Sequence, residues 1–276
     1  MELPVNLAIQ ELLIRAGNAI LEVYESDHFG ETIKSDLSPV TRADRLSSAV
    51  INAGLTDILP EIPVIDEENS IPPYEIRKQW TRFFMLDPMD GTREFIKRNG
   101  EFCINLAYLE NNLTVCSWIY SPVRKTGWYS IKDRGIYSFG HSDPIEPSPE
   151  TQKPCDPVIL IASRSHPSPK GQQILRKISE NFSIEMVRLG SALKQVEIAL
   201  GKADVYIHGS GCSEWDTAAG HLMVEESGGQ VELWDLSGSL KYNKPLMKNP
   251  PFMMLSKRCQ NSEFLEFIKD NLSKGY

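Results

Sequence analysis

Residues 87–94 read DPMDGTRE, two aspartates three positions apart with a proline between them, followed by glycine and threonine. Proline at 88 fixes the backbone and removes one donor, so the turn can aim both carboxylates and the carbonyl of Met89 at a single point. Convergent carboxylates repel one another unless something positive lies between them. Hard oxygen ligands of this kind suit Mg²⁺ or Mn²⁺, whereas zinc prefers the His and Cys ligands that are missing here. The same wording is also an ordinary turn sequence, with Asp and Pro initiating and Gly finishing. Two more stretches bear on the choice. IDEEN (65–69) ends an apolar run in Glu67 and Glu68, and WDTAAGH (215–221) sets Asp216 at the start of a helical pattern, where Asp is most often an N-cap. Gly91 and Thr92 are expected to open a short helix whose first-turn N–H groups suit a phosphate, glycine letting it approach closely.

The elements that would carry these acids follow from periodicity. Ile9, Leu13, Ala16, Ile20 and Val23 recur at helical spacing, and a second helix is expected just after Thr41. PVID (63–66) and FFMLD (83–87) read as strands that end on acids. EFCINLAYLENNLTVCSWIYS reads as two strands around Asn111 and Asn112, and GWYSIKDRGIYSF as a hairpin turning at Asp133 to Gly135. The first half is thus helices on a largely antiparallel sheet. Residues 141–157, proline-rich and without apolar periodicity, read as a linker. Beyond it strands and helices alternate, which predicts a smaller α/β unit with some parallel strands. The expected division is an N-terminal α+β domain over 1–150, which holds Glu67, Asp87 and Asp90, and a C-terminal α/β domain over 151–276, which holds Asp216.

A net charge of -8 argues against a nucleic-acid polymer as partner, because phosphate contacts need clustered Lys and Arg. The five cysteines are scattered without a C-x-x-C pair, which suggests neither a zinc ribbon nor a disulfide framework and fits a reducing cytosol. No apolar run is long enough to span a membrane, and the amino terminus lacks the basic start of a signal peptide. A cytoplasmic protein is expected, with peripheral association with the inner membrane left open. Nothing in the sequence specifies an oligomeric state.

Glu67, then Asp87-Pro88-Met89-Asp90-Gly91-Thr92, then Trp215-Asp216, in that order, resembles the lithium-sensitive, magnesium-dependent phosphomonoesterase superfamily that includes inositol monophosphatase and fructose-1,6-bisphosphatase. The resemblance spans nearly the whole chain and implies a layered αβαβα sandwich, an α/β fold of the α+β layered kind. It implies that Glu67, Asp87 and the Met89 carbonyl hold one Mg²⁺, and that Asp87, Asp90 and Asp216 hold a second. A weaker third ion near Glu67 and substitution by Mn²⁺ are part of the same expectation. Asp44, from SPVTRAD (38–44), would take a proton from the attacking water that Thr92 orients. Read without the resemblance, Asp44 is a capping residue of the second helix.

The segment GTREFIKRNGEFCINLAYL, with ASRSH (162–166) and LGSALK (189–194), closely resembles the bacterial CysQ-type 3′(2′),5′-bisphosphate nucleotidases. That likeness implies hydrolysis of 3′-phosphoadenosine 5′-phosphate to AMP and inorganic phosphate, in the setting of sulfur metabolism. The substrate would meet Glu67, Met89, Asp90, Gly91, Thr92 and Asp216 around the scissile phosphate, Ser191 and Lys194 at the 5′-phosphate, and His166 near the adenosine. Read without the likeness, Ser191 is a helix cap, Lys194 a solvated charge and His166 a loop residue. One departure stands out, for many relatives carry an arginine where this chain has His208. Histidine is charged only near or below its pKa of about 6.5, so Gly209 to Gly211, Lys202 or Arg188 stand as alternative grips on the 5′-phosphate. An inositol or sugar phosphatase, and a non-catalytic nucleotide- or metal-binding protein, are the competing readings. His221 is expected to make a structural hydrogen bond.

Overall fold

The computed structural model describes residues 2–26, 28–33, 39–141, 157–164, 169–209, 211–259 and 263–272. The expected linker therefore lies outside the described residues except at its two ends, and His166 lies outside them as well.

The chain starts with α1 (Leu3–Tyr24), whose proline sits in the first turn and whose expected apolar stripe is buried throughout. Two-residue strands β1 (Thr32–Ile33) and β2 (Pro39–Val40) lead to α2 (Arg42–Ile58), where Thr41 and Asp44 form a reciprocal capping box. Then come β3 (Val64–Asp66), the single turn α3 (Tyr74–Arg77), β4 (Arg82–Asp90), the short α4 (Thr92–Ile96) and β5 (Cys103–Glu110). The meander continues with β6 (Leu113–Ser121), β7 (Thr126–Ile131) and β8 (Gly135–Gly140). Asn111 and Asn112 both have positive φ in the turn between β5 and β6, the conformation for which short polar residues are favoured. Strands β3 to β8 form a sheet in sequence order, antiparallel except for the parallel pair β3–β4.

The second half runs β9 (Val158–Ser163), α5 (Pro169–Asn181), β10 (Ile184–Leu189), α6 (Leu193–Ala199), β11 (Val205–His208), β12 (Cys212–Ser213) and α7 (Ala218–Glu226). It closes with β13 (Gln230–Leu233), β14 (Lys248–Asn249), β15 (Phe252–Leu255) and α8 (Glu263–Leu272). Its main sheet has the order β10-β9-β11-β15-β13, with β9 parallel to both β10 and β11 and the remaining pairs antiparallel.

Alternation along the strands builds the layers, since successive side chains leave opposite faces. Phe84 and Leu86 of β4 pack with Leu12, Leu13, Ile51 and Leu55 of the first two helices. Phe83 and Met85 face the other way, into a core shared with Leu193 and Val196 of α6, Met223 of α7, and Tyr206 and Phe252 of the second sheet. On that sheet's far face Leu160, Val205 and Met253 meet Ile174 and Ile178 of α5 and Phe264 and Ile268 of α8. The order is therefore helices, sheet, helices, sheet, helices. Each fully buried aromatic or aliphatic side chain here is worth about 1.5–3 kcal/mol, so a polar residue at Phe84 would unseat α1 and α2 together.

Candidate active site

Proline is tolerated in a central strand only where the ladder is already broken. Pro88 lies in such a break, for β4 pairs Asp87 with Asn105 and Asp90 with Cys103, and the register shifts between them. The bulge turns Asp87 and Asp90 toward the end of the sheet, where the Ser47 hydroxyl of α2 donates to the Pro88 carbonyl at 2.7 Å. Parallel pairing of β3 with β4 brings Glu67 alongside, its N–H bonded to the Leu86 carbonyl at 3.2 Å. From the other sheet's side, Asp216 arrives on the segment between β12 and α7. Carboxylate oxygens of Glu67, Asp87 and Asp216 lie within 4.8 Å of one another.

These acids line a cleft of about 310 Å³ together with Met89, Asp90, Gly91, Thr92, Ser191 and Lys194. Three of them are held by one oxygen only. Asp87 Oδ1 accepts from the Met89 N–H at 3.0 Å, Asp90 Oδ2 from the Ala192 N–H at 2.6 Å and Asn105 at 3.2 Å, and Asp216 Oδ2 from the Ser213 N–H at 2.8 Å. Among the described residues, the second oxygen of each is left for a ligand. Burial pushes all three carboxyls above the ordinary range, Asp90 to about 6. Mutual repulsion adds to this, Glu67 being the largest charge on Asp87 and Asp90 the largest on Asp216. An all-oxygen set that carries this much uncompensated charge fits a hard divalent cation and does not fit zinc.

Beside the acids, the Thr92 hydroxyl donates to Asp44 Oδ1 at 3.1 Å. The other oxygen of Asp44 accepts from the Thr41 N–H and hydroxyl, each at 2.7 Å, and burial raises this carboxyl too. Asp44 thus serves as a capping residue and as a neighbour of Thr92 at once. Asp216, by contrast, does not cap a helix: α7 begins at Ala218 with Thr217 in the capping position. Gly91 has φ 98°, and a Cβ there would come within 3.2 Å of Ser191 Cβ and 3.0 Å of the Glu101 carbonyl. The glycine is thus required by its backbone and by the protein's own close packing.

Ser191 lines the cleft with φ 51°, and its hydroxyl accepts from the Leu193 N–H at 3.4 Å. Lys194 is buried rather than solvated. Lys202 and Arg188 do not line the cleft, whereas His208 and Gly211 do, and Ser210 lies outside the described residues. His221 makes the structural bonds expected of it, Nδ1 to the Tyr242 hydroxyl at 2.8 Å and Nε2 to the Ser239 hydroxyl at 2.9 Å. Two cleft features escaped the sequence reading. Asn105 steadies Asp90 from the neighbouring strand, and Lys248 reaches the cleft from β14. The pairing of β4 with β5 and of β12 with β14 supplies them, and no local motif marks it.

A five-layer sandwich whose acids converge between its two sheets defines a class of metal-dependent phosphoric ester hydrolases. The inositol monophosphatase family model matches residues 3–268, and the chain belongs to that family. Within it, the 3′(2′),5′-bisphosphate nucleotidase CysQ of Salmonella typhimurium is 36% identical over 81% of this chain and 88% of its own. The CysQ of Haemophilus influenzae is 31% identical over 91% and 93%. The crystal structure of CysQ from Bacteroides thetaiotaomicron superposes with a TM-score of 0.76 at 32% identity, covering 91% of this chain and 96% of that one. An IMPase/NADP phosphatase solved with Mg²⁺ and phosphate shares the fold at a TM-score of 0.73 and 19% identity, over 93% and 90% of the two chains. The family is metal-dependent. No helix among the described residues is long and apolar enough to cross a membrane.

Proposed function

We propose that this chain is a 3′(2′),5′-bisphosphate nucleotidase that hydrolyses 3′-phosphoadenosine 5′-phosphate to AMP and inorganic phosphate. The observation that carries the reading is the convergence of Glu67, Asp87 and Asp216 beside the Thr92–Asp44 pair, in a chain similar to CysQ nucleotidases over most of its length. Glu67, Asp87, the Met89 carbonyl, Asp90 and Asp216 would hold two Mg²⁺ ions, with a weaker third near Glu67 and Mn²⁺ as substitute. When bound, the ions supply Lewis-acid charge that makes water a better nucleophile and offsets the phosphoryl oxygens.

The protein's own groups do the rest. Because the Thr92 hydroxyl gives its proton to the bond with Asp44, its lone pairs are left to accept from a water and so point that water at phosphorus. As the ester bond breaks, Thr92 takes a proton from the water and passes its own to Asp44. The raised affinity of Asp44 for a proton, set by burial, suits it to that part. Gly91, Ser191 and Lys194 complete the substrate's surroundings, and the departing alkoxide takes a proton from water near Asp216. His166 is proposed near the adenosine. A cytoplasmic site of action fits cysteines 103, 116, 212 and 259, all free.

The test is a paired assay with Mg²⁺. The protein should release phosphate from 3′-phosphoadenosine 5′-phosphate far faster than from inositol 1-phosphate, and the reverse preference would overturn the assignment.

A further inference from the structure

Neither RNGEF (98–102) nor ASRSH (162–166) supplies a carboxylate to the metal site, yet the fold ties the two stretches together through Glu101 and Arg164. The first stretch is built to present Glu101. Arg98 has φ 55°, and its guanidinium donates to the Tyr24 and Ser26 carbonyls at 2.8 and 2.7 Å, which anchors the turn to the end of α1. The Asn99 side chain accepts from the Glu101 N–H at 3.0 Å, and Gly100 has φ 75°. Phe102, on the other side of Glu101 in the chain, is buried in the core beneath the first sheet's helices.

Glu101 so presented reaches across to the second sheet. Its Oε2 accepts from Arg164 Nε and from the Gly190 N–H, each at 2.8 Å, and its Oε1 accepts from Arg164 Nη2 at 2.7 Å. Arg164 Nη2 also donates to the Arg188 carbonyl at the end of β10, at 2.7 Å. Burial alone would raise the Glu101 carboxyl, but the bonds from Arg164 and Gly190 outweigh it and hold the group below its ordinary range. The main chain packs as closely: a Cβ at Gly190 would stand 2.9 Å from the Glu101 carbonyl oxygen, and one at Gly91 3.0 Å from the same atom. Glu101 therefore lies between the Gly91 turn and the residues that lead into α6, where Ser191 has φ 51° and the Ala192 N–H donates to Asp90. An exposed ion pair by itself contributes little stability, so this geometry in this place points to positioning.

We propose that Glu101 and Arg164 form a positioning pair that fixes how far the start of α6 stands from the Gly91 turn, and so the spacing between the two phosphates that the cleft accepts. This rests on the bisphosphate nucleotidase reading above and keeps Ser191 and Lys194 as the groups that meet the second phosphate. Arg164 does not bind substrate itself, because its fork is closed on Glu101.

The experiment compares 3′-phosphoadenosine 5′-phosphate with adenosine 3′-monophosphate, with Mg²⁺, in the wild type, Glu101→Gln, Arg164→Met and the double variant. The ratio of kcat/KM between the two substrates should fall by roughly tenfold in either single variant, since a misplacement of about 1 Å can cost as much as 10²-fold. The loss should come through KM for the bisphosphate, whose second phosphate is held alike in ground and transition states. The double variant should lose no more than the worse single one, because the two side chains act as a unit. Arg164→Lys, which keeps the charge and not the fork, should fall between Arg164→Met and the wild type. A ratio that both single variants leave unmoved would overturn the proposal. So would an equal loss on both substrates accompanied by a lower Tm, the pattern of a merely structural pair, and so would losses that add in the double variant. The wild-type panel, with inositol 1-phosphate included, separately tests the reading on which the proposal rests.

Discussion

Two groups of buried acids lie in the same molecule and are treated in opposite ways. Asp66 accepts from the Ser48 hydroxyl at 2.6 Å, from Asn52 at 2.6 Å, from Asn69 at 2.7 Å and from the Glu68 N–H at 2.9 Å. Asp204 is met by Arg258, the Ser256 hydroxyl and the Ile159 N–H, and Glu214 by Lys244 and the Asn243 N–H. In these three both oxygens are paired, which is how a buried carboxylate is ordinarily made tolerable. Asp87, Asp90 and Asp216 each have one oxygen fixed and, among the described residues, the other without a donor, with like charge close to all three. The fixed oxygen orients the group and the open one is kept for a ligand. Asp66 is only one residue from Glu67, so nearness to the site does not decide which kind an acid is. The count of donors does.

Substitution should separate the groups cleanly. Asp90→Asn removes a charge from the cleft and leaves the core untouched, so the protein should fold with a normal melting curve while turnover falls by roughly a hundredfold or more, since even the outer partners of metal ligands cost about 10–100-fold. Undiminished turnover would remove Asp90 from the metal set. Asp204→Asn should show the reverse pattern. It breaks a buried ion pair with Arg258, neither residue lining the cleft, which costs about 3 kcal/mol, or roughly 6–12 °C in Tm for a domain of this size. Turnover below the melting range should hold, and a lost kcat with an unmoved Tm would erase the distinction.

The same contrast explains what could be read from sequence. The helical stripe of α1, the meander hairpins and the strand–helix alternation after 157 are local patterns, and each appears where periodicity put it. The acids were legible as a set only through the order of Glu67, DPMDGT and Trp215-Asp216 and its likeness to a known superfamily, because DPMDG by itself reads equally well as a turn. What separated Asp216 from an N-cap was the start of α7 two residues later, a boundary that composition does not fix. For Asp44, capping and the contact with Thr92 hold together because the two oxygens point different ways. Gly91 was legible as a required glycine, though the neighbours that require it, Ser191 and the Glu101 carbonyl, come from other segments. The closing strands β14 and β15 and helix α8 went unread. β15, Phe252–Leu255, is four buried residues, too short to show a period, and it was placed by its pairing with β11 and β13.

The smallest effect expected is also the most direct measure of the open carboxylates. Unfolded, an aspartate titrates near 3.9; folded and without metal, Asp90 is held at about 6, with Asp87 and Asp216 also raised. Between roughly pH 4 and pH 6 the folded protein therefore binds more protons than the unfolded chain, and stability from these groups falls as pH rises through that window. Above it all of them carry charge, which Lys194 beside Asp90 and Lys248 near Asp216 offset only in part. A divalent cation replaces the missing protons, so the gain in Tm on adding Mg²⁺ to protein stripped with a chelator should grow from pH 5 to pH 7. The difference should shrink in Asp90→Asn, which has one fewer acid to titrate, and persist in Asp204→Asn, whose acid is paired by protein. A Mg²⁺ shift of the same size at every pH would mean that the cation binds elsewhere.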